Sequence, residues 1–147
     1  MKSVVLYDSV HGNTETIARS IARGLGDPAK VSVLDVTKAR AADLASIDLL
    51  VVGSPTLGGR PSTGMQTFLQ SIGDGALKGV KTATFDTRMA MLIARMFGYA
   101  ADRMAYTLAA KGAVRAAPPT GFIVEGRSGP LRKGEEERAA AWAQGIV

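Results

Sequence analysis

Short apolar runs alternate with segments of helical periodicity along the chain, and this alternation constrains the fold more than any other feature. Residues 3–7 and 48–53 are mainly apolar, as in strands that are covered on both faces. Between them, Ile17, Ile21 and Leu25 recur at helical spacing. Strands that alternate with helices in this way form a parallel sheet with helices on both faces and right-handed crossovers. The sequence therefore predicts a doubly wound α/β fold.

The same pattern predicts five strands and five helices in one domain over residues 1–147. Because 46% of the residues are hydrophobic, a core can form without disulfides or a structural metal. The predicted strands cover residues 3–7, 31–36, 48–53, 81–85 and 121–124, and the predicted helices cover residues 17–25, 41–46, 65–72, 99–110 and 134–144. We expect a single-domain protein built on a five-stranded parallel sheet.

Composition excludes several classes of chemistry. The chain has no cysteine, which excludes disulfides, thiol nucleophiles, Cys-ligated zinc and iron–sulfur clusters. Its one histidine, His11, leaves no second imidazole for a histidine metal cage. No apolar stretch approaches the roughly 20 residues of a membrane-spanning helix, and no signal-peptide pattern opens the chain. We expect a cytoplasmic protein that binds no metal and no membrane.

The formal net charge of +5 is concentrated in one segment of the sequence. Residues 78–115 contain seven lysines and arginines against two aspartates, so they account for the whole excess. Clustered charge of one sign attracts a partner of the opposite sign, such as an acidic protein surface, an anionic cofactor or nucleic acid. We expect a protein partner with an acidic surface rather than nucleic acid. The alternative is a solvated basic face without a partner.

The first loop, between the first predicted strand and the first helix, is rich in hydrogen-bond donors. Its residues are Ser9, Val10, His11, Gly12, Asn13 and Thr14. Free backbone N–H groups at a helix N-terminus favour a phosphate, because the donors and the helix dipole both attract negative charge. The loop lacks the lysine of a P-loop, so its neutral donors favour a phosphate monoester over a nucleotide triphosphate. The alternative is that the hydroxyl and amide side chains only form a turn and a helix cap.

Two further candidate segments follow the third and fourth predicted strands. Ligands of doubly wound sheets bind beyond the carboxyl ends of strands, where neighbouring connections diverge. In the second loop, residues 53–62, two prolines add stiffness and two adjacent glycines allow the backbone to approach a ligand. The candidates are Pro55, Thr56, Leu57, Gly58 and Gly59 in the second loop, and Asp86, Thr87 and Arg88 after the fourth strand.

Together these motifs resemble those of the flavodoxins. The family's phosphate loop, Ser/Thr-x-Ser/Thr-Gly-x-Thr, is similar to the first loop at Ser9, Gly12 and Thr14. Residues 53–56 resemble the family's second flavin loop, and residues 97–102 resemble the segment that follows its third. The resemblance follows the order of the chain from end to end. It implies the strand order 2-1-3-4-5 and a noncovalently bound FMN.

The resemblance also implies a role for each candidate residue. The first loop would bind the FMN phosphate through Ser9, Val10, His11, Gly12, Asn13 and Thr14, while Pro55, Thr56, Leu57, Gly58 and Gly59 would contact one edge of the flavin ring, and Asp86, Thr87 and Arg88 the other. The peptide bond between Gly58 and Gly59 would be the one that changes its orientation when the flavin is reduced, since both residues can reach positive φ. His11 stands where the family commonly has a hydroxyl.

The function that the resemblance implies is FMN-dependent electron transfer to a redox protein partner, by an electron carrier rather than a stand-alone enzyme. Two departures leave alternatives open. Residues 57–60 hold no aromatic side chain to stack on the flavin ring, and the chain is basic where flavodoxins are commonly acidic. One alternative is an FMN-dependent NAD(P)H:quinone-type oxidoreductase. The other is a flavin-free interaction module with the same fold.

Overall fold

The computed structural model describes residues 1–90 and 96–147. The strands are β1 (Ser3–Tyr7), β2 (Val31–Asp35), β3 (Leu49–Pro55), β4 (Lys81–Met89), β5 (Val114–Arg115) and β6 (Thr120–Val124). The helices are α1 (Asn13–Leu25), α2 (Thr63–Ser71), α3 (Ala100–Ala110) and α4 (Glu135–Gln144). Short 3₁₀ helices cover Pro28–Lys30 and Ala41–Leu44. None of the helices in the described residues is long and apolar enough to cross a membrane.

The strands pair in parallel in the order β2-β1-β3-β4-β5, which confirms the predicted doubly wound topology. The fifth position of the sheet differs from the prediction because two short strands fill it in succession. β5 pairs with the first two residues of β4, and β6 pairs in parallel with its last five. Pro118 and Pro119 lie between β5 and β6. Because proline has no backbone N–H to donate to a ladder, these residues account for the interruption.

Two other elements differ from the sequence prediction. The helix predicted at residues 41–46 is a 3₁₀ helix over Ala41–Leu44, so the described residues contain four α-helices instead of five. β4 continues to Met89 instead of ending at Phe85, because β3 and β6 pair with its second half. Asp86, Thr87 and Arg88 therefore lie within a strand and not in a loop after it.

The core consists of two layers, one on each face of the sheet. Alternate residues of a strand point to opposite faces, so each central strand contributes to both layers. Val5, Val51, Phe85, Ile17 and Ala139 belong to the layer under α1 and α4, whereas Leu6, Leu50, Val52, Met65 and Met104 belong to the layer under α2 and α3. Trp142 packs edge-to-face on Phe85 and Phe122, at ring-centre distances of 6.4 and 6.0 Å. Trp142 thereby packs on the core layer under α1 and α4.

A buried carboxylate joins the last strand to the last helix. Oε2 of Glu135, the first residue of α4, accepts a hydrogen bond of 2.6 Å from the backbone N–H of Ile123 in β6. Arg138 donates to both carboxylate oxygens of Glu135, at 2.8 and 2.7 Å. The guanidinium of Arg138, and to a lesser extent the Ile123 N–H, lowers the pKa of Glu135, although burial opposes them. The ionised form of Glu135 therefore stabilises the fold.

We predict that Glu135→Gln lowers the free energy of unfolding by about 1 to 3 kcal/mol near neutral pH, since the group that accepts hydrogen bonds from Arg138 and the Ile123 N–H loses its charge and one acceptor oxygen. A carboxyl whose pKa is lowered on folding contributes its full stability above its ordinary value of 4.5, and that stability is lost as the pH falls through the folded-state value. The difference between wild type and variant should therefore shrink in acid. Urea unfolding followed by circular dichroism, at neutral pH and at about pH 3.5, measures it. A difference that stays constant between the two pH values would contradict the assignment.

Candidate functional site

A cavity of about 710 Å³ opens at the carboxyl ends of β1, β3 and β4. Its walls come from the first loop, the second loop, the end of β4, the segment before α3 and the segment after β6. The described lining residues are Val10, His11, Asn13, Thr14, Pro55, Thr56, Leu57, Gly58, Gly59, Thr87, Arg88, Met89, Phe97, Gly98, Tyr99, Val124 and Arg127. None of these is an aspartate or a glutamate. The cavity therefore has a mixed polar and apolar wall without an acidic side chain among its described residues.

The first loop presents unpaired backbone donors at the start of α1. Gly12 caps the helix with φ of 92°. Ser9 Oγ accepts hydrogen bonds from the N–H groups of Gly12 and Glu15, at 3.1 and 3.3 Å, so it maintains the shape of the loop. The N–H groups of Val10, His11, Asn13 and Thr14 donate to no acceptor in the part of the chain that the structure describes. Free N–H groups beside the positive end of a helix dipole form an anion site.

A buried hydroxyl pair connects the first loop to β4. Thr14 Oγ1 and Thr87 Oγ1 are 2.8 Å apart, and one donates a hydrogen bond to the other. Both residues line the cavity and are almost fully buried. This bond places Thr87 beside the anion site, whereas the resemblance assigned it to an edge of the flavin ring.

The second loop makes a tight turn that only its glycines can adopt without strain. Leu57 and Arg60 exchange backbone hydrogen bonds of 2.8 and 3.1 Å. Between them, Gly58 has φ of 58° and Gly59 has φ of 80°, as in a type I′ turn. A Cβ atom on Gly59 would lie 2.2 Å from the carbonyl oxygen of Phe97, while one on Gly58 would meet open space. The second loop therefore packs against the segment before α3.

The end of β4 carries a buried ion pair. Asp86 is 0% exposed, and its carboxylate accepts hydrogen bonds of 2.7 and 2.9 Å from the guanidinium of Arg88. It also accepts one of 3.0 Å from the N–H of Ala101. Burial raises the pKa of Asp86, while the hydrogen bonds from Arg88 act in the opposite direction. Arg88 Cζ lies 3.5 Å from the centre of the Tyr99 ring. Asp86 thus positions Arg88, which in turn covers one face of Tyr99.

Most of the residues predicted from the sequence meet at this cavity. Eleven line it: Val10, His11, Asn13, Thr14, Pro55, Thr56, Leu57, Gly58, Gly59, Thr87 and Arg88. The other three do not line it: Ser9 accepts hydrogen bonds from Gly12 and Glu15 of the first turn, Gly12 caps α1, and Asp86 holds Arg88.

The sequence reasoning did not assign six of the described lining residues: Met89, Phe97, Gly98, Tyr99, Val124 and Arg127. Phe97 and Tyr99 supply aromatic side chains from the segment before α3, although that segment was part of the resemblance. Arg127 enters from the segment after β6. The rule that ligands bind beyond the carboxyl ends of strands, applied to the last strand as well, would have directed attention to Arg127.

The basic segment of residues 78–115 does not form one face. Lys81 begins β4 and pairs in register with Val114 of β5, whereas Arg88 lies at the other end of β4, beside the cavity. Lys81 and Arg88 are seven residue steps apart, so their backbone positions are separated by about 23 Å along the strand. Arg95, which also belongs to the segment, lies outside the described residues. The charge excess is therefore divided between the amino and the carboxyl ends of the strands.

A doubly wound parallel sheet with the strand order 2-1-3-4-5 is the flavodoxin-like fold, and the cavity lies at its β1/β3 switch point. The family model for flavodoxins matches residues 5–142, and the chain belongs to the flavodoxin family. This membership supports a flavin-binding, electron-transfer role.

Solved structures share the fold. Oxidised Flavodoxin 1 from Bacillus cereus is 24% identical, with a TM-score of 0.81 over 100% of this chain and 97% of that one. A flavodoxin from the domain Archaea is 20% identical, with a TM-score of 0.82 over 99% of this chain and 96% of that one. Rubredoxin oxygen:oxidoreductase from the anaerobe Desulfovibrio gigas is 22% identical, with a TM-score of 0.78 over 99% of this chain and 35% of that one.

The turn of the second loop leads to a prediction about stability. Gly58→Ala should lower the free energy of unfolding by about 1 kcal/mol, because alanine is strained at positive φ. Gly59→Ala should cost about 3 kcal/mol, since its methyl group would also collide with the Phe97 backbone. Gly73→Ala is the control, because a Cβ atom on Gly73 would lie 4.0 Å from the nearest atom, Ala76 Cβ. Urea unfolding of the three variants compares these values, and equal losses at the first two positions would show that the contact with Phe97 is unimportant.

Proposed function

We propose that the protein binds FMN in this cavity and acts as an electron carrier. The observation that supports the proposal most strongly is the pairing of two chemically different ends in one cavity. Within the described residues, the first loop offers four free N–H groups to an anion, and other walls of the cavity offer apolar and aromatic surface from Leu57, Phe97 and Tyr99. A phosphate monoester joined to a planar aromatic ring fits both ends.

The chain's own residues would bind and orient the cofactor, which supplies the capacity to accept and release electrons when bound. The N–H groups of the first loop would hold the phosphate, with Thr14 and Thr87 beside them. The second loop and Tyr99 would contact the ring. Hydrogen bonds keep these walls in place: Thr56 Oγ1 accepts from the N–H of Ala100 at 2.9 Å, and Arg103 Nε donates to the Gly59 carbonyl at 2.8 Å.

The exposure of the cavity mouth favours a carrier over a stand-alone enzyme. Leu57 is 49% exposed and Phe97 is 59% exposed, although both line the cavity. Large exposed apolar side chains at a site are typical of a surface that meets another protein. A protein partner could approach the cofactor closely at this edge. The oxidoreductase alternative would instead require turnover of NAD(P)H without any added reductase, which a spectrophotometric assay tests directly.

The first functional prediction concerns the phosphate. The purified protein should bind FMN more tightly than riboflavin, and Thr14→Val should weaken FMN binding by about tenfold, because a hydroxyl at the anion site is lost. Riboflavin binding should change by less than about twofold. Quenching of flavin fluorescence during titration measures both affinities. Thr67→Val, an exposed threonine on α2, is the control. Equal affinities of the wild type for FMN and riboflavin would refute the phosphate assignment, and binding of neither flavin would favour the flavin-free module.

We further propose that the redox partner presents an acidic surface to the cavity mouth. Arg60 is exposed at the end of the second-loop turn, and Arg103 donates to the carbonyl groups of Gly59 and Phe97 beside it. These cations border the exposed side chains of Leu57 and Phe97. Charges at the mouth act on an approaching partner within a screening distance of about 8 to 10 Å at ordinary ionic strength.

Two small oxidants of opposite charge can test the sign of this field. With FMN bound and reduced, oxidation by the ferricyanide anion should slow with added salt, whereas oxidation by hexaamminecobalt(III) should accelerate. Arg60→Gln should weaken both salt dependences. Lys81→Gln, at the end of β4 that is remote from the cavity, should leave them unchanged. Stopped-flow absorbance measures the rates. An acidic partner at the mouth would be contradicted if added salt accelerated oxidation by ferricyanide and slowed oxidation by hexaamminecobalt(III). Equal effects of the two substitutions would contradict it as well.

A further inference from the structure

The segment after β6 folds back as a tight hairpin. Val124 and Leu131 form an antiparallel bridge, and the N–H of Glu125 donates to the carbonyl of Pro130 at 2.8 Å. At the tip, the N–H of Gly129 donates to the carbonyl of Gly126 at 3.1 Å. Residues 126–129 therefore form a β-turn with Arg127 at its second position. We call residues 124–131 the C-terminal hairpin.

The tip of the C-terminal hairpin lies directly against the first loop. A Cβ atom on Gly129 would lie 2.9 Å from Oδ1 and 3.0 Å from Nδ2 of Asn13, so the Gly129 backbone approaches the Asn13 side chain closely. Arg127, two residues earlier in the same turn, lines the cavity together with Val10, His11 and Asn13. The hairpin thus places Arg127 in the lining of the same cavity as the free N–H groups of the first loop.

The charge of Arg127 is uncompensated in the part of the chain that the structure describes. Its side chain makes no hydrogen bond or ion pair there, and no described lining residue of the cavity is acidic. The other arginine of the cavity, Arg88, is neutralised by Asp86. The neighbouring Arg132 is paired with Glu125 at 3.0 Å. Arg127 is therefore the lining guanidinium that remains available to an anion.

We propose that Arg127 is a specificity-determining residue that binds the phosphate of the flavin and so selects phosphorylated flavin over riboflavin. This inference rests on the proposed function, because it requires a flavin in the cavity. A guanidinium presents a planar fork of donors that matches phosphate oxygens and keeps its charge at all relevant pH values. The sequence places no lysine or arginine in the first loop, and the fold supplies the missing cation from a position more than 110 residues away.

The experiment compares FMN and riboflavin binding to four proteins: the wild type, Arg127→Gln, Arg127→Lys and Lys133→Gln. Lys133 is exposed, lies just beyond the C-terminal hairpin and does not line the cavity, so its variant removes the same charge without touching the site. Arg127→Gln should weaken FMN binding by at least about tenfold and riboflavin binding by less than about twofold. Arg127→Lys should recover part of the loss, because it restores the charge without the fork.

Salt dependence gives a second measurement. FMN affinity of the wild type should fall with added salt, and this dependence should be shallower in Arg127→Gln but unchanged in Lys133→Gln. Circular dichroism melts establish that each variant is folded.

Three results would overturn the inference. If the wild type binds FMN and Arg127→Gln binds it as tightly as Lys133→Gln does, Arg127 does not contact the phosphate and the proposed function still stands. Equal losses for FMN and riboflavin in Arg127→Gln would mean that the hairpin only shapes the cavity. Binding of neither flavin by the wild type would overturn both the inference and the proposed function.

Discussion

The pairing of the second half of β4 with β3 on one side and β6 on the other determines the geometry of the site. Because side chains alternate along a strand, residues 86–89 face two directions in turn. Thr87 points towards α1 and meets Thr14, while Asp86 and Arg88 point towards α3 and meet Ala101 and Tyr99. One strand therefore holds both ends of the cavity in register. A strand that ended at Phe85 would leave these contacts without a common support.

The walls of the cavity are connected to one another as well as to the sheet. The first loop contacts β4 through Thr14 and contacts the C-terminal hairpin through Asn13 and Gly129. The second loop contacts α3 through hydrogen bonds from Ala100 and Arg103, and it contacts the segment before α3 through the close approach of Gly59 to Phe97. When the walls of a site are fixed in this way, ligand binding requires little free energy to order them. This is the property that a cofactor-binding protein needs.

The parts of the fold that the sequence predicts correctly are those with a strong local signal. The apolar runs of β1 and β3 and the helical stripe of α1 identify the central elements, and their loops contain most of the lining residues. The errors have non-local causes. The end of β4, Asp86-Thr87-Arg88-Met89, has no apolar run, and it is a strand because β3 and β6 pair with it. The two prolines before β6 divide the last strand in a way that its apolar pattern did not reveal.

The electrostatic character of the site is also not predictable from the sequence alone. Net charge is a property of the whole chain, whereas a binding site responds to the charges near it. The excess of +5 suggested one basic face, yet Lys81 and Arg88 lie at opposite ends of β4, about 23 Å apart by strand length. That distance exceeds the screening length of about 8 to 10 Å, so the far cations have little effect at the cavity. Near the cavity, Asp86 cancels the charge of Arg88, and Arg127 keeps its own. The local field thus depends on which arginine has a carboxylate within hydrogen-bond distance, and only the folded arrangement of β4 and the C-terminal hairpin determines that.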